Sequence, residues 1–318
     1  MSLFDENSLH PQNQETPSQS PAEPIPGAAQ PAATASETPL AGDPISLAAT
    51  VPPAVPSYNH PIPEDLRISW SWLHFTLFFA FIVVSFFIVQ FSFMVYYAGP
   101  IRHLSNEKDF ERFALSKPGF AVGSMVLLYA LVMLFLYVSL SVLPGLPFWR
   151  TLGWRKITRP HSARPRSPWL FFFAGCGLSA AVFVVTAKMQ PPEDLPIEEL
   201  FHYKNTAILF MAMAVLVAPL VEETVFRGYL YPLFAKSFGV ASSVIITGVL
   251  FGLMHGAQLG WTWGLVSVLI AVGIVFTFVR ARTGSVFASF LLHLGYNSVI
   301  ALVTILGTQG FTNMTPPH

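Results

Sequence analysis

The sequence predicts an all-α fold, a polytopic transmembrane helix bundle of about seven spans that follows a disordered N-terminal tail. Hydrophobic residues make up 53% of the 318 positions and charged residues only 11%, whereas a soluble domain carries roughly 25% charged residues. Several apolar runs also exceed the roughly 18 residues that indicate a membrane helix. The formal net charge is zero, so we expect a lipid bilayer as partner and no nucleic acid.

The tail occupies residues 1–66. Residues 1–63 contain no Lys or Arg and hold 13 of the 27 prolines, which excludes the basic start of a signal peptide. Such a segment cannot bury enough apolar surface to offset its ordering entropy. We therefore expect a solvated tail. Recognition of its Pro-rich pieces by a partner is the alternative.

Seven apolar segments account for the spans, and Trp70 and Trp72 precede the first, as is typical of a membrane interface. The predicted spans are Leu73–Tyr97, Phe120–Leu143, Trp169–Lys188, Thr206–Phe234, Val240–His255, Trp263–Val279 and Val286–Leu306. Residues 67–200 form an N-terminal group of helices, and residues 201–310 form a second group that carries the polar residues discussed below.

Loop charges orient the bundle. The loop from Pro144 to Pro168 holds six basic residues and no acidic one. Because cytoplasmic loops carry an excess of Lys and Arg, we expect this loop and the N-terminus to be cytoplasmic. Arg280 and Arg282 then fall on the same side. Short loops and neutral charge favour a bacterial inner membrane.

Two adjacent acids, Glu222 and Glu223, are the only acidic residues from Thr206 to the C-terminus, and they lie within an apolar run. An ionised group near mid-membrane is expensive, so it should be paired or functional. Arg227 lies four residues after Glu223, in the favourable acid-before-base order on one helix face. We therefore expect Arg227 to neutralise Glu223, which leaves Glu222 without a local partner and available as a general base.

Histidines on later spans supply complementary chemistry. His255 closes the fifth span in FGLMH, and His293 lies in the seventh span in HLGYN, with Asn297 four residues later on the same helix face. If these faces converge, Glu222 and His255 can hold and deprotonate a water molecule. His293 and Asn297 can then donate hydrogen bonds to the oxyanion that forms when this water attacks a carbonyl.

The segments EETVFR, FGLMH and HLGYN, in this order, resemble the signatures of the CPBP intramembrane protease family, which includes type II CAAX prenyl endopeptidases and bacteriocin-processing Abi proteins. The resemblance covers about residues 206–306. It implies a helical membrane protease with Glu222 as base, His255 as its partner and His293 with Asn297 as the oxyanion site. It assigns Glu223 and Arg227 a supporting role, structural or substrate-positioning.

A metal is a weaker expectation. Glu222, His255 and His293 could ligate zinc, and members of the family are often described as metalloproteases. However, an amide oxygen such as that of Asn297 is a poor zinc ligand, and the single Cys176 excludes a cysteine cluster. We expect no tightly bound metal and no other cofactor.

The function expected from these residues is hydrolysis of a peptide or of a membrane-associated protein substrate. Two other classes fit a buried set of Glu and His residues. One is a proton-coupled transporter, and the other is a non-catalytic immunity or scaffold protein. The sequence predicts neither the cleavage site, nor prenylation of the substrate, nor the oligomeric state.

Overall fold

The computed structural model describes residues 66–104, 106–159, 162–165, 167–189 and 195–311. The predicted disordered tail therefore lies outside the described residues, except for its last position. That residue, Leu66, is buried and packs with Tyr231 and Val244, so the folded bundle begins no later than residue 66.

Helices make up most of the described chain. Those up to residue 186 are α1 (Trp72–Tyr96), α2 (Ala98–Ile101), α3 (Glu107–Ser116), α4 (Pro118–Tyr137, extended by a π-helical segment, Val138–Val142), α5 (Phe148–Thr151) and α6 (Trp169–Thr186). Those that follow are α7 (Pro196–Glu199), α8 (Lys204–Leu216), α9 (Ala218–Glu223), α10 (Tyr231–Phe238), α11 (Val240–Met254), α12 (Trp263–Thr283) and α13 (Val286–Gly307). A short antiparallel hairpin joins β1 (Thr158–Arg159) to β2 (Ser162–Pro165).

The predicted fold class is confirmed. Within the described residues, six helices are long and apolar enough to cross a membrane, and the shorter apolar helix Val240–Met254 brings the total near the predicted seven. One detail differs from the prediction. Trp70 does not lie at a lipid interface, because it is 1% exposed and its indole N–H donates to Tyr229 O at 3.1 Å.

Glycines allow two helix pairs to pack backbone against backbone. Gly175 on α6 faces the carbonyl of Leu292 on α13, and Gly295 on α13 faces the carbonyl of Phe172 on α6, so neither position has room for a Cβ atom. Small residues are a common device for close helix contact in membranes. This contact fixes the position of α13, which carries His293.

Two glycines on α11 ahead of His255, Gly248 and Gly252, also pack closely. A Cβ atom on Gly248 would lie 2.6 Å from Ile274 N, and one on Gly252 would lie 2.6 Å from Ile270 N. Helices α11 and α12 are therefore in backbone contact at these two glycines. The close packing fixes the C-terminal end of α11, where His255 follows the last helical residue.

Contacts tie the basic loop after α5 to the turn between α12 and α13. Val286 N–H donates to Gly153 O at 2.9 Å, and the Ser285 hydroxyl donates to Arg155 O. Arg280 and Arg282 lie in the last turn of α12, where cations complement the helix dipole. The described part of the basic loop and the last turn of α12 thus lie at the same end of the bundle.

Candidate active site

The span that carries Glu222 and Glu223 is interrupted on both sides of the two acids. Helices α8 and α9 are separated at Val217, and Pro219 lies in the first turn of α9. Proline has no N–H and clashes with the carbonyl four residues earlier, so a regular helix cannot continue through it. After Glu223 the chain widens into a π-helical segment, Thr224–Leu230, just ahead of Pro232. The predicted fourth span is confirmed as one candidate membrane segment, Lys204–Phe238, and these two distortions within it were not predicted.

The predicted ion pair between Glu223 and Arg227 is confirmed. Arg227 Nη1 lies 2.9 Å from Glu223 Oε1, and both side chains are fully buried. The guanidinium also donates from Nη2 to Gly273 O at 2.8 Å and from Nε to Thr277 Oγ1 at 3.2 Å. The Cζ atom of Arg227 lies 4.5 Å from the centre of the Phe251 ring. Arg227 therefore connects the acid-bearing segment to α11 and α12.

His293 lies between the two acids. Its Nδ1 is 3.0 Å from Glu223 Oε1, and its Nε2 is 3.9 Å from Glu222 Oε2. Since an ionised carboxylate only accepts hydrogen bonds, Nδ1 carries a proton and donates it to Glu223. The sequence analysis expected Arg227 alone as the partner of Glu223, so the contact with His293 was missed. The Phe276 ring, 4.6 Å from the imidazole, packs beside it.

His255 and Asn297 are each held by a backbone carbonyl. His255 Nδ1 is 2.8 Å from Phe251 O, so it donates its proton there and presents Nε2 as an acceptor. Asn297 donates one amide proton from Nδ2 to Ala214 O on α8 at 2.8 Å. Because an amide nitrogen carries two protons, a second proton remains for another acceptor.

A cavity of about 350 Å³ lies between these helices, and Glu222, His255, His293 and Asn297 all line it. Its other walls are mainly apolar. They include Met125 and Tyr129 of α4, Phe210 and Met213 of α8, Leu265 and Leu269 of α12, and Ile300 of α13. Glu223 and Arg227 are fully buried and do not line the cavity. The structure thus brings the four proposed catalytic side chains to one cavity, with the ion pair outside its surface.

Tyr129 is a polar member of this cavity that the sequence analysis missed. Its hydroxyl donates to Glu222 Oε1 at 3.3 Å, across 93 residues of sequence. It comes from α4, in the N-terminal group of helices, for which the sequence predicts no site residue. A tyrosine within an apolar run is the only signal in the sequence, and it does not indicate a partner.

The side chains do not gather as a zinc site. Both histidines present Nε2, and zinc accepts imidazole nitrogen and carboxylate oxygen. However, among the described residues no three His, Cys, Asp or Glu side chains lie close enough together to hold a metal ion. The absence of a tightly bound metal therefore stays a prediction, which chelation tests.

Comparison with known families and proteins gave one match. Residues 204–299 match the family model described as type II CAAX prenyl endopeptidase Rce1-like. No curated protein and no solved structure matched the chain. The matched range contains all four cavity residues discussed above, and it lacks Tyr129. Over residues 204–299 the chain is thus similar to type II CAAX prenyl endopeptidases, which confirms the resemblance carried by its three motifs.

Proposed function

We propose that the protein is an intramembrane endopeptidase that hydrolyses a peptide bond with a water molecule activated by Glu222 and His255. The observation that carries this proposal is the common cavity, because a carboxylate, two histidines and an amide all line one mainly apolar space. The similarity to type II CAAX prenyl endopeptidases supports the same reaction class. The substrate class is a peptide or the tail of a membrane-associated protein.

Glu222 is the proposed base. Its Oε2 is directed towards the His293 side of the cavity, and the side chain is only 8% exposed. A carboxylate in a low-dielectric cavity interacts strongly with a water molecule placed beside it. His255 offers Nε2 as an acceptor, because Nδ1 is already bound to Phe251 O. The two groups can therefore orient the water and take its proton as it attacks the carbonyl carbon.

His293 and Asn297 are the proposed donors to the oxyanion. Nδ1 of His293 already donates to Glu223, so donation from Nε2 requires a proton on both ring nitrogens. In that form each ring nitrogen faces one carboxylate, Glu223 at 3.0 Å from Nδ1 and Glu222 at 3.9 Å from Nε2. Asn297 retains its second amide proton for the same oxygen. Both donors are held in place before the charge develops, which is the arrangement that lowers the barrier most.

The experiment compares wild type with Glu222→Gln on a transmembrane peptide in liposomes, with products identified by mass spectrometry. The amide cannot accept a proton, so we expect cleavage to fall by about 10²–10⁴-fold. Glu199→Gln, which removes an exposed acid away from the cavity, is the matched control and should cleave like wild type. Equal cleavage by wild type and Glu222→Gln would rule out the proposed base. Proton flux into liposomes that is lost in Glu222→Gln would instead favour transport.

A further inference from the structure

The carboxylate of Glu222 has a different neighbour at each oxygen. Oε1 accepts a hydrogen bond from the Tyr129 hydroxyl at 3.3 Å, and Oε2 lies 3.9 Å from His293 Nε2. A glutamate side chain has several rotatable bonds and adopts many rotamers unless contacts restrict it. A hydrogen bond to one oxygen removes that freedom and determines where the other oxygen is directed.

The position of Tyr129 is itself well determined. The residue lies on α4, is partly buried, and packs against the largest apolar cluster of the bundle, which includes Val132 and Leu136 of the same helix. Its ring and hydroxyl also line the cavity, beside Met125 one turn earlier. A rigid aromatic ring with a polar tip is well suited to present one hydroxyl group at a fixed point in an apolar wall.

We propose that Tyr129 is a positioning residue for the proposed base: its hydroxyl holds Oε1 of Glu222 so that Oε2 faces the reacting water. This inference rests on the proposed function. It gives a role in catalysis to the N-terminal group of helices, which lies outside the range that matches the protease family. Formation of the complete site then requires α4 as well as the span that carries Glu222.

The test measures kcat and KM of Tyr129→Phe in the full-length protein in liposomes, with the transmembrane peptide as substrate. The substitution removes one hydroxyl and keeps the ring, so packing in the cluster is retained. We expect kcat to fall about ten-fold, the size of effect that follows from losing one hydrogen bond to a charged group. We expect KM to stay within two-fold, because the hydroxyl acts on the base rather than on the substrate.

Tyr137→Phe is the matched control. It removes a hydroxyl from the same helix two turns later, at an exposed position that does not line the cavity, and it should leave both constants unchanged. A second readout is the Kd of the uncleaved peptide for Glu222→Gln with and without Tyr129→Phe. Equal Kd values are expected if the hydroxyl does not bind the substrate. The thermal unfolding midpoint of Tyr129→Phe should match that of wild type.

Each other outcome has a distinct meaning. If Glu222→Gln is inactive while Tyr129→Phe retains the wild-type kcat, the positioning role is wrong and the protease proposal stands. A higher KM and a weaker Kd at unchanged kcat would make Tyr129 a substrate-binding residue and overturn the inference. If Glu222→Gln cleaves as well as wild type, the proposed function itself fails, and the role of Tyr129 fails with it.

Discussion

Each ring nitrogen of His293 faces its own acid, and the two glutamates lie in different environments. Glu223 binds Nδ1 and Arg227 at the same oxygen, so it sets the orientation of the imidazole. Glu222 faces Nε2 across 3.9 Å and lines the cavity. Two adjacent acids of the same chemistry thus differ in their surroundings, because Glu223 is closed in an ion pair and Glu222 lines the cavity.

At Asn297 we expect loss of rate rather than loss of binding. Asn297→Ala removes a proposed oxyanion donor, and removal of one such donor typically lowers kcat by about 10²–10³-fold. KM should change little, because the donor acts mainly on the charge that develops in the transition state. The peptide cleavage assay in liposomes measures both constants.

Ser298→Ala serves as the control for this variant. Ser298 is the next residue on α13, and its hydroxyl donates to Leu294 O within the helix. Its removal should leave kcat and KM at their wild-type values. A higher KM at an unchanged kcat for Asn297→Ala would contradict the oxyanion role.

Metal removal gives a further residue-level prediction. Since three possible ligands do not gather among the described residues, we expect cleavage to persist after treatment with a strong chelator and dialysis. The rate should remain within about two-fold of that of untreated protein, a difference of roughly 0.4 kcal/mol in the barrier. Loss of cleavage that added zinc restores would show that Glu222, His255 and His293 bind a metal.

At the residue scale, spacing within a helix was predictable and contacts between helices were not. The pairing of Glu223 with Arg227 follows from the four-residue period and is present at 2.9 Å. The contacts of Glu223 with His293 and of Glu222 with Tyr129 depend on the rotation of each helix about its axis. The apolar sequences do not specify this rotation, because most faces of these helices are hydrophobic.

The fourth span is distorted on both sides of Glu222, which lines the cavity. A regular 35-residue helix over Lys204–Phe238 would carry its polar groups round the helix at 100° per residue. The break at Val217 and the π-helical segment after Glu223 change this rotation locally. π-helical segments are often found at functional sites, and here one separates the proposed base from the end of the span.

The contact between α6 and α13 gives a prediction at the element scale. Gly175→Ala places a methyl group against the backbone of α13 at Leu292, so the helices must separate. Overpacking of this kind typically costs about 1–3 kcal/mol. We expect a lower thermal unfolding midpoint in detergent and reduced cleavage, because α13 carries His293 and Asn297.

Gly177 on the same helix provides the matched control, because it has no heavy atom within 4 Å of the added methyl group. Gly177→Ala should leave the midpoint unchanged or slightly higher, since alanine is the better helix former. If both variants unfold at the wild-type temperature, close packing at Gly175 does not determine the stability of the bundle.

Helix number and approximate bounds were predictable because apolar length is a strong signal. Val240–Met254 and Val286–Gly307 agree with their predicted spans to within one residue at each end. The break at Val217 was missed, although Pro219 is visible in the sequence, because proline is tolerated in membrane helices when neighbours satisfy the freed backbone groups. A proline within an apolar run therefore does not distinguish a kinked membrane helix from a straight one.

At the scale of the whole molecule, the orientation in the membrane is the open prediction. The test introduces single cysteines into a Cys176→Ser variant. One replaces Ser167 in the basic loop, and the other replaces Gly307, the last residue of α13. Both positions are exposed. A membrane-impermeant maleimide should label Gly307→Cys in intact cells and Ser167→Cys only after permeabilisation. The reverse pattern would invert the predicted topology.

The charge arrangement at His293 has a consequence for how the protein is made. Glu223 and Arg227 are four residues apart and neutralise each other as soon as that segment is helical. Tyr129 precedes both in the chain, so it is already present when they are synthesised. Glu222 then remains as one surplus negative charge until α13 arrives with His293. An isolated charge at the bilayer centre costs about 2.5–3.5 kcal/mol on insertion scales. In the proposed form of His293, with both ring nitrogens protonated, insertion of α13 would therefore also balance the charge of the nascent bundle.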